Sequence, residues 1–316
     1  MTRGSAVSVV WRRISDWVGP LVALMVMGAI LAFTSPHFLT RGNISSVATQ
    51  ASPIAILAIG ETIVIISGGI DLSVGSVLAL CGVLAALLMN KGVAIAPACL
   101  AAVACGLACG ATSGALTAYG KMPSFIATLG MMGIARGAAY IITGGVNVDL
   151  PAAFPEFARA RLAGVPLPAL AATVVAVAAH VLLALTVLGR RVYAIGGNAE
   201  AARLSGIPVK RVVTILFALS GLLCSLAGLV LTSRLGIGQP TAAVGYELDA
   251  IAAAVIGGAS LMGGQGTIPG TLIGAAIMGV LRNGLNLLNV EVFWQQVAIG
   301  VIIIAAVFFD QFRRRR

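Results

Sequence analysis

The sequence predicts an all-α fold, a polytopic helical bundle embedded in a membrane, and three observations carry that prediction. Of 316 residues, 59% are hydrophobic and only 9% are charged. Soluble domains carry about 25% charged residues, and so little charge does not keep a soluble surface hydrated. Uncharged runs long enough to cross a bilayer recur along the chain, where a spanning helix needs about 20 apolar residues. Finally, 20 Lys and Arg stand against 10 Asp and Glu, in clusters of the kind that the positive-inside bias of membrane proteins produces. Aromatics are not interleaved with these clusters on a soluble face, so the net charge of +10 argues for a lipid bilayer and against nucleic acid as partner. Residues 1–316 read as one membrane domain.

The predicted spans, about ten, are residues 18–33, 46–66, 72–89, 93–118, 123–143, 166–188, 212–232, 247–262, 267–288 and 292–309. The first follows Arg3, Arg12 and Arg13 and lies in an uncharged run from 17 to 40. That run exceeds the apolar core of a cleaved signal peptide, so it reads as a retained helix. The second carries Glu61, and the third follows Gly68-Gly69 and Asp71. The fourth places Gly106, Gly110 and Gly114 on one stripe, and the fifth does so with Gly133 and Gly137. Such stripes let helix backbones approach closely in lipid, either inside the chain or against another subunit. The sixth holds a lone His180; the eighth is short; the ninth is rich in Gly and contains Arg282.

Ten spans with both termini in the cytoplasm put thirteen of the 20 basic residues there: the three N-terminal arginines, Lys121, five residues of a central segment, and Arg313 to Arg316. Five fall outside (Arg41, Lys91, Arg159, Arg161, Arg234), and Arg136 and Arg282 lie within spans. The bias supports this orientation. The longest external connection, residues 144–165, contains nothing resembling an enzyme site.

Cys81, Cys99, Cys105, Cys109 and Cys224 all lie in apolar runs without an accompanying His or carboxylate. They read as small buried apolar residues rather than as a metal or redox site. Charged groups at membrane depth cost about 2.5–3.5 kcal/mol each on insertion scales, so Glu61, Asp71, Glu247 and Asp249 are candidate translocation-pathway or gate residues, and the hydroxyl of Ser73, two residues after Asp71, is counted with them. Capping is the alternative role for Asp71, Glu247 and Asp249. For Arg136 and Arg282 the structural reading is pairing with a carboxylate or with carbonyls. Gly68-Gly69 and Gly257-Gly258 are helix breakers, tolerated at membrane depth only where backbone is buried in protein or lines water.

The central basic segment, about 189–211, breaks the hydrophobic pattern most sharply. Within it Asn198 is a good N-cap, Glu200 in the first turn complements the helix dipole, Gly206 supplies a left-handed C-terminal residue, and Pro208 follows as a stop. About seven residues make a helix of roughly 10 Å, which cannot cross a bilayer and must lie on the cytoplasmic face, shaped to fit a groove in a partner. No nucleotide site accompanies it: the stretch from Gly114 to Met122 lacks both the spacing and the Ser/Thr of a P-loop.

Residues 196–198, 201–202 and 205–207 of this segment resemble the cytoplasmic coupling segment of ABC-transporter permeases. More closely, the chain is similar to ribose-type (monosaccharide) permeases. The likeness continues in residues 68–76 (GGIDLSVGS), 123–130 (PSFIATLG), 239–242 (QPTA), 245–253 (GYELDAIAA), 257–261 (GGASL) and 283–288 (NGLNLL), from about residue 44 to the C-terminus. The resemblance implies a homodimeric or heterodimeric channel in the bacterial inner membrane, a separate ATPase subunit holding ATP and Mg, and an extracytoplasmic sugar-binding protein. It places Asn198, Glu200, Ala201, Ala202, Arg203, Ser205 and Gly206 in contact with the ATPase. The chain itself then binds no cofactor and does no covalent chemistry. Two rivals remain: an ion-coupled secondary transporter using Glu61, Asp71 or His180, and an intramembrane enzyme, for which His37 and His180 supply no constellation.

Overall fold

The computed structural model describes residues 6–314; Arg3, Arg315 and Arg316 lie outside them. The chain opens with helices α1 (Ala6–Thr34), α2 (Arg41–Ile66), α3 (Val74–Asn90), α4 (Ile95–Ala118) and α5 (Ser124–Thr143). The connection that follows holds β1 (Val148–Asp149), the single turn α6 (Glu156–Arg159), β2 (Arg161–Leu162) and β3 (Val165–Pro166). Then come α7 (Leu167–Leu185), α8 (Val187–Gly197), α9 (Ala199–Leu204), α10 (Val209–Leu235), β4 (Ile237–Gly238), α11 (Tyr246–Ile256), α12 (Ile268–Leu287) and α13 (Val292–Arg314). The strands form two small antiparallel ladders, β2 with β3 and β1 with β4, the latter setting Val148 opposite Gly238.

Six helices (α2, α4, α5, α7, α10 and α12) are long and apolar enough to cross a membrane. Shorter apolar helical stretches are Val18–Thr34, Val74–Asn90 and Phe293–Ile302. A helix stands at each of the ten runs read from the sequence, with two differences. The eighth run stops early: α11 ends at Ile256, because Gly258 takes a left-handed φ of +92°. Its 11 residues reach about 16 Å, too short to cross alone. The sixth run is cut at Thr186, whose hydroxyl donates to Leu182 O (2.6 Å) and accepts from Gly189 N (3.2 Å). One side chain thus closes α7 and caps α8.

The core is built around α2. Residues 52–66 are all buried, as expected of a helix that is hydrophobic all round. Helices α10, α12, α7 and α11 pack around it. The glycine stripe of α4 serves this internal packing: side chains at Gly106, Gly110 or Gly114 would collide with the α10 backbone at Gly221, Phe217 and Thr214. Gly221 in turn admits no side chain against Gly106. Two backbones in such contact gain dispersion along their full shared length, which drives helix association in lipid. On α5, by contrast, a Cβ at Gly130, Gly133 or Gly137 would meet nothing within 4 Å. That stripe is bare.

Candidate functional site

The basic central segment folds as two helices rather than one. α8 carries Arg190, Arg191 and Tyr193, and its existence was missed because Thr186 is an inconspicuous cap. Asn198 accepts from Ala201 N at 2.9 Å and starts α9. The other end closes as a Schellman motif, with Gly206 N donating to Arg203 O (3.0 Å), Ile207 N donating to Ala202 O (3.1 Å), and Gly206 at φ +83°. The caps predicted from sequence are therefore in place. Glu200, Ala201, Arg203, Ser205 and Gly206 are exposed, whereas Ala202 is buried under the segment. Arg203 donates twice to Glu200, at 2.6 and 3.0 Å. These hydrogen bonds and the adjacent guanidinium charge hold the Glu200 carboxyl below its ordinary range.

This segment is seated on the rest of the chain through backbone. Tyr193 Oη donates to Gly266 O at 2.8 Å. Gly264 N, in the loop between α11 and α12, donates to Ile66 O at the end of α2, also at 2.8 Å. A Cβ at Gly196 would collide with Ile66 O and crowd Gly264 N, and one at Gly263 would crowd Gly196 and Gly68. Three connections, 67–73, 196–198 and 257–267, thus lock together with no side chain between them. Substitution at Gly196 must displace all three.

Residues 67–73 turn back alongside α2. Asp71 N donates to Glu61 Oε1 at 3.1 Å. Asp71 Oδ1 accepts from Ser73 N (3.0 Å) and Ser73 Oγ (2.6 Å), and Asp71 Oδ2 accepts from Ser220 Oγ on α10 (2.8 Å). Asp71 therefore builds the turn before α3, two residues upstream of the N-cap position that Ser73 occupies. Ser124 and Thr128 of α5 complete the turn by accepting from Ile70 N (3.1 Å) and Leu72 N (3.0 Å). Glu61, Asp71 and Ser73 are all buried, and Glu61 Oε2 has no partner among the described residues.

The second group gathers where residues 239–245 enter α11. Arg136 Nη1 on α5 donates to Pro240 O (2.6 Å) and Ala242 O (2.9 Å). Asp249 is buried and paired with Arg282, whose guanidinium also stands 5.6 Å from the Tyr246 ring centroid. Both arginines thus take the structural partners expected of them. Glu247 lies beside Gly75, where an added Cβ would sit 2.5 Å from its Oε2. Glu61, Asp71, Ser73 and Glu247 therefore gather about the start of α3, while Asp249 is held by Arg282, and of the five candidate pathway residues only Glu247 keeps accessible surface. Sequence reasoning missed Ser220, which donates to Asp71, and Ser124 and Thr128, which hold the turn around it; it also missed two polar pairs elsewhere in the bundle, Thr62–Thr271 at 2.7 Å and the Asn43–Asn283 amides at 2.8 and 3.0 Å. A polar residue inside an apolar run was the available signal.

His180 is exposed on α7 between Val177 and Val181, far along the chain from either carboxylate group. The five cysteines are free, with Cys81 and Cys224 buried. Among the described residues, no three His, Cys, Asp or Glu side chains are placed to hold a metal ion.

Residues 43–307 match a family described as the branched-chain amino acid transport system / permease component. The chain is 48% identical to the ribose import permease protein of Escherichia coli (strain K12), over 92% of each chain. It is 45% identical to the ribose import permease protein of Bacillus subtilis (strain 168), over 93% of this chain and 92% of the relative. It is 40% identical to the D-allose transport system permease protein of E. coli (strain K12), over 94% and 92%. No solved structure matches significantly. Full-length similarity at this level, together with helices fit to cross a membrane, makes the chain a member of the branched-chain amino acid transport system / permease component family, on the branch that holds sugar ABC permeases.

Proposed function

We propose that the chain is the membrane-spanning subunit of an ATP-driven importer for a monosaccharide or related polyol. In this reading ten membrane segments place both termini in the cytoplasm of a bacterial inner membrane. A second permease copy completes the pathway, an extracytoplasmic sugar-binding protein delivers solute, and a separate ATPase holds ATP and Mg. The relatives named for ribose and allose support a sugar over the amino acids of the family's description.

The observation that carries the reading is α9. It is a stub capped at both ends, exposed along Glu200, Ala201, Arg203, Ser205 and Gly206, and anchored behind on the two breaks of the bundle. A helix of six residues gains too little from its own hydrogen bonds to persist alone. Double capping and the backbone lock instead make it a rigid body. Closure of ATPase halves around it would push on Gly196, and through Gly196 on the connections after α2 and before α12. Movement there changes the lie of α3 and α11, the two short helices that meet at the carboxylate groups.

Reconstitution with the cognate ATPase and binding protein tests this. Gly206→Pro removes the Gly206 N–H donor and forbids the positive φ. We expect it to abolish ATP-dependent sugar uptake while leaving membrane insertion and basal ATP hydrolysis intact. Normal uptake by this variant would refute the coupling role of α9.

A further inference from the structure

One corner of the bundle carries basic charge with no acid to answer it. The sequence has no Asp or Glu between Asp71 and Asp149, and none between Glu200 and Glu247, so α4 and α10 bring no carboxylate of their own. Lys121 follows the end of α4, and Lys210 and Arg211 stand in the first turn of α10. All three are exposed, and among the described residues none of them forms an ion pair.

The fold gathers them. A Cβ at Gly114 would stand 2.8 Å from Thr214 Cα, so the end of α4 lies against the start of α10. Lys210 Nζ then stands 5.5 Å from the centroid of the Tyr119 ring, a cation–π contact that keeps the ammonium at this corner. Two residues beyond Tyr119, Lys121 turns the chain at a left-handed φ of +55°, while Met122 N donates back to Leu116 O at 3.3 Å. Glycine takes that conformation freely, whereas a residue with a side chain is strained in it. One turn further into the bundle the exposed surface is apolar: Leu116 shares a face of α4 with Tyr119, and Ile215 shares a face of α10 with Arg211. Cations over an aromatic ring over an apolar face is the order of groups at a membrane–water boundary.

We propose that the end of α4 and the start of α10 form a binding site for an anionic phospholipid, with Lys121, Lys210 and Arg211 around the headgroup and an acyl chain along Leu116 and Ile215. The corner asks for an anion and an apolar tail in one molecule. A phospholipid of net negative headgroup supplies both, whereas a free phosphate or an acidic protein surface supplies only the charge. Basic pockets between membrane helices hold such headgroups by charge attraction at the bilayer surface. Bound there, the lipid bridges the two helices whose backbones meet at Gly114. The inference needs only a chain embedded in a bilayer; it does not depend on the solute or on an ATPase.

The test is native mass spectrometry of the full chain in detergent holding equal amounts of phosphatidylglycerol and phosphatidylcholine. We expect the wild type to retain phosphatidylglycerol in preference. A cation near a lipid surface is worth about 1 kcal/mol, or about a fivefold change in binding. Lys121→Gly should therefore weaken the preference about fivefold, and Lys121→Gly with Arg211→Gln should weaken it further. Lys121→Gly also relieves the left-handed strain, so its melting temperature in phosphatidylcholine vesicles should equal or exceed that of the wild type. Lost retention then does not come from misfolding, and adding phosphatidylglycerol to the vesicles should raise the melting temperature of the wild type more than that of the variant. Equal retention by the wild type and the double variant would overturn the site. A wild type that holds both lipids equally, yet gains melting temperature from inorganic phosphate, would assign the corner to a free anion and overturn it too. Unchanged lipid retention by a double variant that no longer assembles with its ATPase would give the corner to that protein instead.

Discussion

The connection before α3 and the connection before α11 do the same job with different chemistry. Each brings the chain to the start of a short helix inside the bundle, and each carries carboxylates there. Before α3, Asp71 is held by Ser73 and Ser220, and the neighbouring amides by Ser124 and Thr128. Before α11, Asp249 is held by Arg282, and the backbone by Arg136. Hydroxyls both donate and accept, so the first network can re-form when its geometry changes. Arginine only donates and keeps its charge, so the second holds one arrangement. In the transport reading, the hydroxyl-lined break is the part that flexes and the arginine-held break is the fixed wall.

The comparison breaks most readily at Arg282. Arg282→Leu leaves Asp249 as a buried charge without its partner, at a cost of about 3–5 kcal/mol. We expect a sharp fall in folded protein, measured as the melting temperature and monodispersity of detergent-solubilised material. The double variant Arg282→Leu, Asp249→Leu removes both charges and should recover most of the loss, since replacing a whole buried pair by apolar residues is often neutral. Failure of the double variant would mean that the arginine acts through Tyr246 rather than through the ion pair.

On the hydroxyl side the effects should be smaller. Ser220→Ala takes one hydrogen bond from Asp71 Oδ2 and should cost about 1–3 kcal/mol. Asp71→Asn keeps an oxygen for Ser73 and presents an amide that Ser220 accepts from after its hydroxyl rotates, so about 1 kcal/mol is expected. The same melting measurement ranks the three. If Asp71→Asn proved as damaging as Arg282→Leu, the contrast between a reversible and a fixed break would disappear.

Much of this was legible in the chain because a bilayer demands long apolar runs, and those place helices without reference to tertiary contacts. The caps of α9 were legible too, since Asn198 and Gly206 act within a few residues of themselves. The pairing of Arg136 and Arg282 followed from the cost of an unsatisfied guanidinium in apolar surroundings. What stayed hidden depends on distant partners. Ser220 lies 149 residues from Asp71, and a serine in an apolar helix more often bonds its own backbone. The α4 stripe allowed internal packing or a subunit contact, and only Gly221 and Phe217 across α10 decide for the former. The helix α8 was lost because Thr186 looks like any polar residue near a helix end.

The smallest effect is expected on the exposed side of α9, at Glu200. Its carboxyl is held below the ordinary value of 4.5 by the Arg203 hydrogen bonds and charge. A carboxylate of lowered pKa contributes stability at pH above that ordinary value and loses it only as the pH falls through the lower folded value. Between pH 6 and 8 the pair is therefore fully formed, and the ATP-dependent uptake rate should show no titration attributable to it. Both side chains are more than 60% accessible, so water and salt screen the pair. Glu200→Gln should leave the melting temperature unchanged and uptake within about twofold of wild type, a range set by the modest worth of exposed pairs. A large uptake defect with normal melting would show that Glu200 serves the ATPase contact directly. The fixed and flexible breaks would then be driven through a charged grip as well as through the shape of α9.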